Sequence, residues 1–147
     1  IPALELGGAR VRVLIGSAFG AHSPVAVRSP MLYLDIDLSA GDAFPLPEAA
    51  ERAIYVVAGA VTLDGEPVPP QTMRMLGAGD EPLLAAAGDA RVVLIGGEPL
   101  GHRHIWWNFV SSRPERIVQA ADDWASGRFA AVPGETEFIP LPERRPG

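Results

Sequence analysis

The 147-residue chain contains no cysteine and no lysine, and only three histidines. Without cysteine there is no disulfide, no thiolate nucleophile and no zinc–thiolate site. Without lysine there is no Schiff-base chemistry and no phosphate-binding P-loop lysine, so all twelve basic residues are arginine. Positive charge is also in deficit: the net charge is -6 and the pI about 5.0. That balance argues against a nucleic-acid partner, which needs a basic face, and against an anionic membrane surface. No apolar run reaches the roughly 18–20 residues that cross a bilayer. The start "IPALELGG" has no basic segment leading into an apolar one, so no signal peptide is read there and a cytoplasmic location is expected.

Apolar residues make up 48% of the chain, and its length suits one domain with a proper core. Short apolar runs alternate with turn signals. "RVRVLIG" (residues 10–16) and "MLYLDIDL" (31–38) alternate as half-buried strands do, with Leu32, Leu34, Ile36 and Leu38 on one face and Asp35 and Asp37 on the other. That alternation places the two aspartates on an exposed strand face rather than in a catalytic carboxylate pair. "AIYVVAGAVTLDGEPV" (53–68) contains Asp64-Gly65 between apolar runs, a strong hairpin signal. "TMRML" (72–76), "PLLAAA" (82–87) and "RVVLIGG" (91–97) continue the pattern at the spacing of an antiparallel sandwich or barrel. The period then changes. "SSRPERIVQAADDWASGRF" predicts a helix over about 113–127, with Ser112 as N-cap, Glu115 completing a capping box, and Gly127 as terminator. Ile117, Ala120, Ala121 and Trp124 share its apolar face, and Asp122 and Asp123 its solvated one. The proline-rich end, about 128–147, reads as an extended arm that docks through Phe138, Ile139 and Leu141, and Arg144-Arg145 is too short for a nucleic-acid arm. The fold predicted is all-β, a jelly-roll barrel over about 1–112 with one C-terminal helix and a tail, in a single domain.

Chemistry concentrates in "GHRHIWWNFVSS" (101–112), where His102 and His104 adjoin Trp106 and Trp107. Alternating histidines on a strand point the same way, and Glu98 is the nearest acid that joins them. A third or fourth ligand is missing, because His22 lies in a distant "GAHSP" loop. The pair is therefore read as structural, with Trp106 and Trp107 on opposite faces, one in the core and one against the helix or a neighbouring domain. Ser111 and Ser112 lack a base and read as caps, not nucleophiles.

The stretch "LIGGEPLGHRHIWWNFVSSRPERIVQAADDWASGRFAAVPGETEFIPLP" resembles the C-terminal half of the pirin family of the cupin superfamily, through "GGEPL", "WNFVSS" leading into "ERI-QA-DW--GRF", and "EFIPLP". Upstream, "GSAFGAHSPVAVRSPMLYLDIDLSAGDAFPLP" and "AIYVVAGAVTLDG" are similar to that domain's opening strands. The resemblance implies a cupin-type jelly roll that is the second half of a bicupin. It also implies that iron or another divalent transition metal sits in an N-terminal domain, and that some bacterial members act as quercetin dioxygenases. A cupin metal site of the implied kind needs His-x-His and Glu on one strand and a further His on a later one. The matching segments, 41–59 and "PPQTMRMLGAGDE", contain no histidine, and Glu48 and Glu51 alone make a poor site. No catalytic residue, metal or cofactor is assigned to this chain.

Three functions are compatible with this reading. One is a metal-free interaction module that packs on an N-terminal cupin domain or on a second copy, through a seam of Trp106, Trp107, Phe109, Phe138, Ile139 and Leu141. Another is part of a metal-dependent quercetin 2,3-dioxygenase whose chemistry belongs to the other half. The last is a small-molecule-binding barrel lined by Tyr33, Tyr55, Met73 and Met75, for which core filling is the plainer account.

Overall fold

Among the described residues, alternation of apolar and polar residues becomes fourteen strands, and the one change of period becomes a helix. The structure, a computed structural model, describes residues 1–143, so the Arg144-Arg145 pair lies outside the described residues. In chain order the strands are β1 (Ala3–Leu6), β2 (Ala9–Ile15), β3 (Ser17–Ala18), β4 (Ala21–His22), β5 (Met31–Leu38), β6 (Ala43–Pro45) and β7 (Glu51–Ala58). They continue with β8 (Val61–Leu63), β9 (Glu66–Val68), β10 (Met73–Leu76), β11 (Leu83–Ala86), β12 (Ala90–Gly97), β13 (His104–Trp106) and β14 (Phe109–Ser111); α1 spans Pro114–Ala125. The chain divides into two compact units, Ile1–Pro99 and the segment from Leu100 on.

The first unit is a sandwich of two antiparallel sheets. One has six strands in the order β1-β2-β5-β12-β7-β10, and the other four in the order β6-β11-β8-β9. The ladders stay separate, so the sandwich is not closed into a continuous barrel. Both sheets contribute to one core. Val11, Val13, Leu34, Ile36, Ile54, Val56, Val92 and Leu94 of the larger sheet meet Phe44, Val61, Leu63, Val68 and Leu84 of the smaller. Leu32, Leu34, Ile36 and Leu38 are all buried, as their alternation requires. Each such side chain contributes about 1.5–3 kcal/mol on leaving water, so the paired inner faces dominate the stability of this unit.

The Asp64-Gly65 turn forms as its residue types predict. Both residues have positive φ, 51° and 85°, which suits the right-handed twist of β8 and β9. The Asp64 carboxylate also accepts a 2.8 Å bond from the Leu83 N–H, fastening the turn to β11.

The second unit holds the β13–β14 hairpin, α1 and the described part of the tail. Ile117 and Ala121 are buried and Ala120 and Trp124 half-buried, which is the predicted helix face. The predicted N-cap is displaced by one residue. Arg113 occupies that position, no side chain caps the helix, and the Ser112/Glu115 capping box does not form. The cause is Pro114, which disfavours helical backbone in the residue before it and holds Arg113 extended at φ -125°, ψ 122°. Ser111 instead accepts a hydrogen bond from the Arg113 N–H. At the other end Gly127 (φ 67°) terminates the helix as expected, its N–H bonding to Trp124 O while the Arg128 N–H bonds to Asp123 O.

Candidate functional site

The buried residues of the first unit are apolar except for Ser23, Asp35 and Arg52, of which Arg52 stands on an inward strand face. On β7 the inward positions are Arg52, Ile54 and Val56, and Arg52 is only 2% exposed. Its Nη1 donates to Pro47 O and its Nη2 to Asp80 O, while its Nε is buried without a partner. Arginine stays charged at any accessible pH, so a permanent cation lies inside the sandwich against two carbonyl dipoles. Sequence reasoning passed over Arg52; the signal was a lone basic residue at an inward position of an otherwise apolar strand. Glu48 and Glu51 are exposed and do not turn inward. Among the described residues no three His, Asp or Glu side chains gather as a metal site requires. A buried guanidinium would also repel a divalent cation. The donor set of this chain does not fit the transition metal associated with cupins.

His102 and His104 lie in the second unit, with His104 on β13 opposite Ser111. Their rings meet edge to face with centroids 4.6 Å apart. They supply two donors, and Glu98 is an exposed residue just past β12 in the first unit. His22 is bonded at Nδ1 to Ser17 Oγ, 2.7 Å away, across the β3–β4 hairpin.

Asp35 departs from its expected exposure. It is 4% exposed although its strand face is the outer one. Arg12 on β2 and Arg91 on β12 close over it from both sides: Arg12 Nη2 donates to Oδ2, and Arg91 donates 3.0 Å bonds from Nε to Oδ1 and from Nη2 to Oδ2. Asp37 lies at the rim of the cluster, 3.6 Å from Arg12 and 3.9 Å from Arg91. The hydrogen bond and charge of Asp35 raise the Arg91 pKa above the ordinary value of an arginine. A carboxylate so clasped is not a free base; it joins three strands.

Tyr33, Tyr55, Met73 and Met75 do not line an interior. Leu34 and Ile54 point inward, so their neighbours Tyr33 and Tyr55 point outward. Met73 lies opposite Tyr55 and Met75 opposite Ala53 on that same outer face. Ile95 lies between Tyr33 and Ala53 in the same row. Met73 is 54% exposed, Met75 67% and Ile95 41%, a contiguous apolar strip on the six-stranded sheet.

The aromatic residues of the second unit pack on one another. Trp107 meets Phe109 at 5.4 Å and Trp124 at 5.2 Å; Trp124 meets Phe129 at 5.6 Å and Phe138 at 5.7 Å. The Trp124 indole N–H donates a 2.8 Å bond to Ile139 O, which fastens the tail to the helix. Trp106 and Trp107 do not divide between two faces, since both rings adjoin Phe109, at 6.2 Å and 5.4 Å. Trp107 begins the hairpin turn at φ 54°, an uncommon conformation for a bulky residue. Leu141 is half-buried, whereas Phe138 and Ile139 each remain 58% exposed. Trp124 and Phe129 belong to the cluster although the predicted seam omitted them.

The family model for the pirin C-terminal cupin domain matches residues 33–130. The chain belongs to the pirin family. It is 43% identical over 145 residues to a pirin-like protein of Caulobacter vibrioides, covering 97% of this chain and 50% of that protein. A protein of Pseudomonas aeruginosa named as a putative quercetin 2,3-dioxygenase is 34% identical over 124 residues, covering 81% of this pirin chain and 43% of that protein. A crystal structure of quercetin 2,3-dioxygenase from Acinetobacter baumannii superposes with a TM-score of 0.82 at 26% identity, over 98% of this chain and 52% of that one. The pirin chain thus spans about half the length of the curated relatives it matches. Its fold is the cupin jelly roll with a C-terminal helix.

Proposed function

We propose that this pirin domain is a metal-free interaction module that packs on a metal-bearing N-terminal cupin domain and helps to close that domain's pocket. The observation that carries the reading is the apolar strip Met73, Met75 and Ile95, left exposed on the six-stranded sheet beside the half-buried Tyr33 and Tyr55. A soluble chain rarely leaves such a strip uncovered without a partner. The twofold length of the relatives supports a partner of matching size. Iron or a related divalent metal, and any oxidation of a flavonol, then belong to that other half. This chain provides a wall and no ligand.

The 147-residue chain on its own is expected to dimerise or to bind a hydrophobic dye through the strip, and the Ile95→Glu/Met75→Glu variant to do neither. Sedimentation showing a monomer that binds no dye would sink the reading. The names of the Pseudomonas and Acinetobacter relatives favour a second reading, in which this half itself contributes to quercetin oxidation. Turnover of quercetin by the chain alone with added iron(II) would establish that reading and refute the first.

A further inference from the structure

In the second unit, β14 and the first turns of α1 enclose an open groove of about 540 Å³, within the size range of small-molecule sites. Phe109, Ile117 and Ala120 form its apolar floor, and Ser111, Arg113 and Arg116 its polar wall. None of its lining residues is acidic, although the chain as a whole carries a net charge of -6. The Arg116 guanidinium has no ion-pair partner among the described residues. Arg113 has only Glu115, at 3.6 Å with both side chains more than half exposed, a pair that solvent screens to little effect. Ser111 Oγ accepts from the Arg113 N–H, so its own O–H is left to donate into the groove.

We infer that this groove binds a small organic oxyanion with an apolar body, an aryl or alkyl carboxylate being the simplest case. The guanidinium groups of Arg113 and Arg116 take the oxygens, the Ser111 hydroxyl adds a third donor, and the body lies on Phe109, Ile117 and Ala120. Arginine favours this class because its planar fork matches the two oxygens of a carboxylate, and charge-assisted bonds of this kind are stronger than neutral ones. The apolar floor selects against bare inorganic anions. The site is separate from the exposed sheet strip of the first unit, so its failure leaves the proposed docking role untouched.

The test is an NMR titration of the 15N-labelled chain with benzoate, phenyl phosphate, inorganic phosphate and benzyl alcohol. Saturable shifts confined to residues 108–120 are expected with benzoate, with weaker or no saturation by inorganic phosphate and none by benzyl alcohol. Phenyl phosphate binding as tightly as benzoate supports the oxyanion class; benzoate alone binding narrows it to carboxylates. The R113Q/R116Q variant, with both side chains on the surface and an unchanged circular dichroism spectrum, is expected to bind benzoate about tenfold or more weakly. Absence of saturable shifts in the parent chain, undiminished binding by the variant, or inorganic phosphate matching benzoate would each overturn the inference.

Discussion

Two charged residues of the first unit show how a single position can defy its strand. Asp35 belongs to a face that alternation marks as exposed, yet it is buried because arginines 23 positions before it and 56 after it close over it. Those partners come together only through the register β2-β5-β12, which no local pattern reveals. Replacing Asp35 with alanine leaves two guanidinium groups facing each other and is expected to cost about 2 kcal/mol by urea denaturation, whereas Asp37→Ala, at a 45% exposed side chain, costs less than about 1 kcal/mol. Arg52 poses the opposite case, a buried cation held only by backbone carbonyls. Its desolvation penalty predicts that Arg52→Met, which keeps the apolar bulk, changes stability by under about 1 kcal/mol, while Arg52→Ala opens a cavity and costs about 2–4 kcal/mol. Equal losses in the two variants would show that the contacts to Pro47 and Asp80, and not the bulk, carry the residue's role. Glu135 offers a pH probe in the tail. N–H groups of Glu137 and Thr136 donate to its carboxylate and lower its pKa below the usual 4.5. A depressed carboxylate stabilises the turn above pH 4.5 and releases it as pH falls through the lower folded value; a carboxyl carbon titration that gave 4.5 or more would contradict the geometry.

At the level of elements, local signals that need only a few neighbouring residues were legible. The Asp64-Gly65 hairpin, the inward face of β5, the apolar stripe of α1 and the Gly127 stop all follow from residue type and spacing. Helix entry did not, because two local signals compete and the constraint imposed by Pro114 on Arg113 outweighs a serine that merely stands at a plausible distance. Ser112→Ala is therefore expected to change stability by less than about 0.5 kcal/mol, where loss of a working cap costs about 1 kcal/mol. The placement of Met73 and Met75 was equally out of reach. A four-residue strand at a sheet edge has no periodicity long enough to say which side faces the core, and only its pairing with β7 decides.

For the whole molecule, composition excluded more than it assigned. The missing cysteines and lysines removed thiolate, disulfide and Schiff-base chemistries, and the family resemblance supplied the rest of the fold. The candidate sites depended on contacts between residues far apart in sequence. The aromatic cluster shows this: Trp106, Trp107, Phe109, Phe138, Ile139 and Leu141 were visible as a composition, but their organisation around Trp124 and Phe129 needed the tail to return onto the helix. One further consequence concerns β10, the outermost strand beside β7, which has a strand neighbour on one side only. Its open rim carries two methionines with Arg74 between them, and all three are exposed. A rim of that kind invites stacking of identical chains, and a charge placed midway along it keeps them apart. Arg74→Val is therefore expected to speed fibre-like assembly of the chain, read by light scattering.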